Sequence, residues 1–191
     1  MDAPSIQRKL ADRFGEKIVA FQGEALQPWV VIAPDAIAEV AAFAKSEPEL
    51  AFDNLLCLSA VDYPKEDPPR MEVVYHLFSY EHRHVFVLKV HLPREGAHVP
   101  TVERTWAVAN WHEREAYDLF GIVFDGHSDL RRILLPDDWI GHPLRKDWVD
   151  PDFYNGMHVK PTQQMAERSM AGEKIGVGPF DITPPNRHVD E

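Results

Sequence analysis

The chain is predicted to fold as a two-layer α+β domain, with a mixed β-sheet and helices grouped on one face. Three observations carry that expectation. Val85 to Leu92 alternates cleanly, Val85, Val87, Lys89 and His91 against Phe86, Leu88, Val90 and Leu92, as a strand with one covered face does. Asp35 to Lys45 is alanine-rich, with Ile37, Val40, Ala41 and Ala44 on one stripe, which is an amphipathic helix. The order along the chain is helix, two strands, helix, three strands, helix, and that order groups the strands into one sheet.

Taken in turn, residues 4 to 14 read as a short helix, because Pro4 suits a first turn and Ile6, Leu10 and Phe14 recur on one side. Ile18 to Phe21 and Trp29 to Ile32 are short strands with Gly23 in the turn between them. Pro34 and Pro48 mark the start and stop of the second helix. Phe52 to Val61 is apolar and is expected as a central strand. Met71 to Phe78 pairs with Val85 to Leu92 across Tyr80 to Arg83 as a hairpin. Val102 to Phe120 returns to a helical period, expected in two pieces around Asn110. The domain is drawn as residues 1–135. Residues 136–191 are read as an extended arm, with seven prolines in those 56 residues and weak apolar periodicity apart from a short helix near Thr162 to Met170. Such a stretch does not bury enough apolar area to fold alone. Its aromatics Trp139, Trp148, Phe153, Tyr154 and Phe180 give two alternatives, ordering against a partner or packing on its own domain.

Composition narrows the function. With 31 acidic against 20 basic residues the net charge is −11, which disfavours nucleic acid and anionic lipid as partners. No stretch approaches the roughly 18 apolar residues a membrane helix needs. Met1 to Pro4 has neither a secretory signal's pattern nor an Arg- and Ser-rich transit character, so any membrane association is expected through partners. The single cysteine, Cys57, lies in an apolar run and reads as a buried, inert thiol. One cysteine cannot hold an iron–sulfur cluster by four thiolates.

Residues 113–134 are the most distinctive stretch. Glu113, Arg114, Glu115 and Asp118 put three acids and an arginine within six residues, and His127, Arg131 and Arg132 follow. Helical spacing places Glu113 on the same face as Val102, Trp106, Ala109, Ala116, Tyr117 and Phe120. A carboxylate there needs a partner, because an unpaired buried charge is prohibitive. Arg131 or Arg132 supplies it from within the chain, or a basic residue does so from another subunit. Arg114 and Asp118, four apart, can also pair. The expectation is a structural charge network that sets the departure angle of the arm, rather than acid–base catalysis.

Other chemistry finds little support. Ten histidines invite a metal, but His112-Glu113 lacks a second ligand one turn on, since position 116 is Ala. His82 and His84 are expected on one side of a hairpin. There is no glycine-rich nucleotide loop and no nucleophile elbow around Ser59 or Ser128.

The pattern Glu113-Arg114-Glu115, Asp118, Leu119-Phe120, His127, Arg131 and Ile133-Leu134 resembles the diagnostic signature of the thirty-kilodalton subunit family of respiratory NADH:quinone oxidoreductase (complex I). Leu135 to Trp139 and Gly141 to Asp147 look like that family's following stretch, so the likeness spans about residue 5 to 150. The resemblance implies a peripheral-arm subunit that binds the quinone-site subunit (the forty-nine-kilodalton type) and other peripheral-arm subunits. It implies no catalytic, cofactor or metal residue in this chain, with NAD, FMN, iron–sulfur clusters and quinone held by partners. The cytoplasmic side of a bacterial inner membrane is the location it implies. Interface roles fall to Glu113, Arg114, Glu115, Asp118, His127, Arg131 and Arg132 for the network. Trp139, Arg145, Lys146 and Trp148 are the expected arm anchors, with Arg131, Arg132, Arg145 and Lys146 as cationic contacts for partner carboxylates. The alternative is the equivalent subunit of a related membrane-bound hydrogenase or other donor:quinone or ferredoxin complex.

Overall fold

Asp2 opens the first helix, α1 (Ala3–Phe14), by accepting the Ser5 N–H at 3.2 Å, with Pro4 in the first turn. The structure is a computed structural model that describes residues 1–159. After α1 come β1 (Ile18–Gln22), β2 (Trp29–Ile32), α2 (Ile37–Ser46), β3 (Asn54–Tyr63), β4 (Arg70–Ser79), β5 (His84–Pro93), β6 (His98–Pro100), α3 (Ala109–Phe120) and β7 (Val123–Asp125). These belong to one unit, Met1–Trp148. A second unit begins at Val149 and contains the hairpin β8 (Phe153–Tyr154) and β9 (Met157–His158). Its turn is Asn155-Gly156, both at positive φ, the conformation that a two-residue hairpin loop requires.

The sheet order is β1-β2-β5-β4-β3. β2 runs parallel to β5 and every other pair is antiparallel, so the five-stranded sheet is mixed. One face carries the core. Val73, Tyr75 and Leu77 of β4 and Phe86, Leu88 and Val90 of β5 meet Ile6 and Leu10 of α1, Ile37, Val40 and Ala41 of α2, and Trp106, Ala109 and Ala116 at α3. At about 25 cal/mol per Å² of apolar surface removed from water, this face supplies most of the driving force for folding. On the opposite face the charged side chains pair among themselves: Glu72 accepts Lys89 at 2.8 Å and meets His91 at 3.0 Å.

Several expectations change. β3 is an edge strand, not a central one; its apolar residues are accounted for by the core on one side and by α3 packing beside it. The helical period from Val102 is real in its burial but not in its backbone. Val102 and Trp106 are buried through successive tight turns, with Thr105 and Trp106 N–H both bonded to the Val102 carbonyl, and the helix itself starts at Ala109. Trp106 Nε1 donates to the Phe52 carbonyl at 2.9 Å, which pins those turns to the start of β3. The parallel pair β6–β7 has no counterpart in the sequence reading, because three residues are too few for a period. Cys57 is half-buried rather than buried. The helix expected near Thr162 to Met170, and Phe180, lie outside the described residues.

Candidate functional site

The expected network is built around α3, and each turn of that helix holds a different piece of chain. Near its start, Glu113 is fully buried. Its carboxyl accepts Thr101 Oγ1 at 2.5 Å and the Val102 N–H at 2.8 Å. The expected arginine partner is not there. Among the described residues its one basic neighbour within 4 Å is His127, with Nε2 at 3.9 Å. Burial pushes the Glu113 carboxyl up to about 7, against the two hydrogen bonds that favour its charged form.

Glu103, which the sequence reading passed over, shares the same imidazole from 3.6 Å. It accepts Asn110 Nδ2 at 2.8 Å, the Ser128 N–H at 2.8 Å and Ser128 Oγ at 3.0 Å. Burial works to raise its pKa, but these donors outweigh it and hold the carboxyl below its ordinary value. His127 takes the Asp129 N–H on Nδ1 at 3.0 Å, so Nε2 carries the hydrogen and faces the Asn110 carbonyl at 3.1 Å.

The next residue, Arg114, is buried, and its guanidinium lies over the Trp111 ring at 5.1 Å. It donates to the carbonyls of Arg131 and Arg132 at 3.3 and 3.4 Å instead of pairing with Asp118. Asp118 is fully buried and collects the start of the expected arm. It accepts the N–H groups of Ile133, Leu134 and Leu135 at 3.1, 2.8 and 2.9 Å, and Arg132 Nη1 at 2.8 Å. Burial acts to raise its pKa, and those four donors overcome it and depress the carboxyl. Arg132 therefore serves Asp118, not Glu113. Glu115 is exposed, and Arg131 is exposed and paired with Asp129 at 2.9 Å.

The C-terminus of α3 is closed by residues from further along. A helix leaves its last carbonyls without intrahelical donors. Here His142 Nδ1 donates to the Asp118 carbonyl at 2.9 Å, the Leu144 N–H to Leu119 at 3.1 Å, and Arg145 Nε to Phe120 at 2.8 Å. Arg145 and Arg132 are also cations placed at the negative end of the helix dipole. Gly121 makes the approach possible: its φ is +79° and a Cβ there would lie 2.6 Å from His142 Nε2. Residues 130–148 thus form a strap. The Trp139 and Trp148 rings stack at 6.0 Å, and Arg132 Nη2 reaches the carbonyls of Trp139 and Gly141.

The far end of the strap is held by a second network that the sequence reading did not find. Asp62 of β3 is buried and takes Arg94 in a two-bond fork, Nε at 2.8 Å and Nη2 at 2.9 Å. Arg94 also holds Asp147, and the Lys146 N–H donates to Asp62 at 2.8 Å. The hydrogen bonds to Arg94 drive the Asp62 carboxyl down despite burial. No local spacing announces this set, because Asp62 and Arg94 are 32 residues apart and Asp62 and Lys146 are 84 apart. Of the expected arm anchors, Arg145 and Trp148 are turned onto the chain's own unit, and Lys146 engages through its backbone. His82 and His84 each direct Nε2 at a loop carbonyl, those of Pro48 and Leu50.

Residues 30–153 match the family model described as "Respiratory-chain NADH dehydrogenase, 30 Kd subunit". The chain is 43% identical over 150 residues to an NADH-quinone oxidoreductase subunit from Chlorobium phaeobacteroides, covering 78% of this chain and 89% of that one. Among solved structures, it resembles the trypsin-resistant fragment (1-134) of Nqo5, with 34% identity and a TM-score of 0.56, over 65% of this chain and 98% of the other. It also resembles a chain of the membrane-bound sulfane sulfur reductase, an archaeal respiratory membrane complex, with 25% identity and a TM-score of 0.63 over 76% and 85% of the two chains.

Proposed function

Because this chain belongs to the family of the 30 Kd subunit of respiratory-chain NADH dehydrogenase, we propose that it is a non-catalytic assembly subunit of a proton-pumping NADH:quinone oxidoreductase. It docks on the subunit that carries the quinone site. NAD, FMN, iron–sulfur clusters and quinone are held by the partner subunits. The chain lies on the cytoplasmic side of a bacterial inner membrane and meets the membrane only through those partners. Among the described residues no helix is long and apolar enough to cross a bilayer.

The observation that carries this reading is the strap. Its backbone is held by buried carboxylates, yet Leu134, Ile140 and Leu144 point outward, with Ile140 87% exposed. Trp111 on α3 is 61% exposed as well. Large apolar side chains held outward by a satisfied polar scaffold are the composition of an interface core. The scaffold sets their position before docking, which lowers the entropic cost of association.

A second reading is favoured by the likeness to the sulfane sulfur reductase chain: the equivalent subunit of a related complex with another electron donor. Affinity purification of the tagged chain from detergent-solubilised native membranes, with mass spectrometry of the co-purifying proteins, separates the two. A quinone-site subunit recovered with flavin and iron–sulfur subunits that bind NADH is the expected outcome. Recovery with nickel-hydrogenase or sulfur-reductase subunits would select the second reading, and recovery of the chain alone would defeat both.

A further inference from the structure

The N-terminal half of α3 gathers two carboxyls, Glu113 fully buried and Glu103 half-buried, around one imidazole, and the donors there are shared unequally. Glu103 accepts three hydrogen bonds and Glu113 accepts two, both from neutral groups. The charged or titratable groups facing Glu113 are Glu103 from the turns before α3, His127 from the turn after β7 and Tyr75 from β4. On α3 itself, the neighbouring Arg114 is committed to the carbonyls of Arg131 and Arg132.

None of these cancels a negative charge on Glu113. The His127 ring is committed to backbone groups, Nδ1 accepting the Asp129 N–H at 3.0 Å and Nε2 facing the Asn110 carbonyl at 3.1 Å, and Nε2 stays 3.9 Å from the Glu113 carboxyl. Glu103 already carries the charge that the donors of this corner can support, and it repels another. The Tyr75 hydroxyl is fully buried and makes no hydrogen bond among the described residues, so it does not donate to the carboxyl.

We propose that Glu113 is a buried proton-binding site, whose bound proton keeps residues 101–103 and 127–129 closed on α3 and whose release loosens that corner. The step is simple in its balance: the carboxyl O–H bond breaks, the proton passes to water, and a carboxylate remains that water must enter to solvate. The reason the corner yields, rather than the helix, is its wiring. Thr101 Oγ1 both donates to Glu113 and accepts the Glu103 N–H, and Ser128 hangs on Glu103. Hydrating Glu113 therefore disturbs the hydrogen bonds that seat both loops. The raised pKa of Glu113, about 7, places this event near neutral pH.

The test is a carbon NMR titration of the full-length chain labelled at glutamate side-chain carboxyls, run alongside amide hydrogen exchange. Glu113→Gln identifies the resonance; where that variant fails to fold, through-bond correlation to the Glu113 amide does so in the unaltered protein. The expected result is a Glu113 midpoint near 7. Protection of the Val102 and Asp129 amides, corrected for the intrinsic pH dependence of exchange, falls across the same titration. A Glu113 midpoint in the ordinary glutamate range, or protection that stays constant while Glu113 ionises, would overturn the proposal.

Discussion

Glu113 and Asp118 lie five residues apart on one helix, are both fully buried, and have carboxyl pKa values shifted in opposite directions. Asp118 meets three backbone N–H groups and a guanidinium, and its pKa is depressed. Glu113 meets a hydroxyl and one N–H, and its pKa is raised to about 7. Both side chains are sealed from solvent, but Glu113 lies deeper and beside Glu103, so burial weighs more on it. The number of donors, and whether a cation is among them, decides whether that burial is overcome. The two halves of α3 accordingly do different work. The C-terminal half fastens the strap with a permanent charge, and the N-terminal half holds a corner whose charge depends on pH.

The largest expected effect breaks the permanent half. Asp118→Ala strands the Arg132 guanidinium and three N–H groups at once, and removing one partner of a buried pair costs about 3–5 kcal/mol. Urea unfolding checks this; a loss below about 1 kcal/mol would show that water replaces the carboxylate. Next comes the pH-dependent half. The folded pKa of Glu113 lies above its ordinary 4.5, so the folded state keeps a proton that the unfolded chain releases. That contribution is complete below about pH 4.5 and is lost as pH rises through about 7. A shift of this size corresponds to at most about 3–4 kcal/mol. Glu113→Gln should remove the decline, so the variant gains on the unaltered protein between about pH 5 and about pH 8 in parallel unfolding curves. Asp118 has the reverse sign: its contribution is present above the ordinary 3.8 and fades as pH falls toward its depressed value.

A smaller effect probes the cap alone. Gly121→Ala places a Cβ against His142 at a positive φ, and about 1–2 kcal/mol of stability should go, with faster exchange at the Leu144 amide. The smallest control is Arg131→Ala. That residue has a side chain 68% exposed and pairs only at the surface, so its loss should stay within about 1 kcal/mol in the same assay.

What could be read in the sequence follows from how far each interaction reaches. The alternation in β5, the stripe of α2 and the proline before α2 are local, and the structure has those elements within a residue or two of expectation. The burial of Glu113 was also readable, because helical period alone sets which face a side chain occupies. Its partner was not. Counting charges offered Glu113 Arg131 or Arg132, or a basic residue of another subunit, whereas within the chain Arg132 goes to Asp118 and Glu113 meets Thr101. A hydroxyl and a backbone N–H leave no trace in a charge count. The tethering of residues 136–148 was hidden for a related reason. Two of its donors, Leu144 and Lys146, are backbone N–H groups, and three of its acceptors are carbonyls at a helix end, so the prolines and weak periodicity suggested an arm although the segment had partners within its own unit. Asp62 and Arg94 look like ordinary strand-end charges until the topology brings them together.

The distance in sequence between Asp62 and the Lys146 amide, 84 residues, also sets an order of events during synthesis. At about 5–20 residues per second, the ribosome adds that stretch in roughly 4–17 s. Arg94 is made only 32 residues after Asp62, long before Lys146, so it can neutralise the carboxylate while the strap is still untranslated. The nascent sheet then carries no naked charge at the edge of β3, and the later segment arrives at a site already prepared for it.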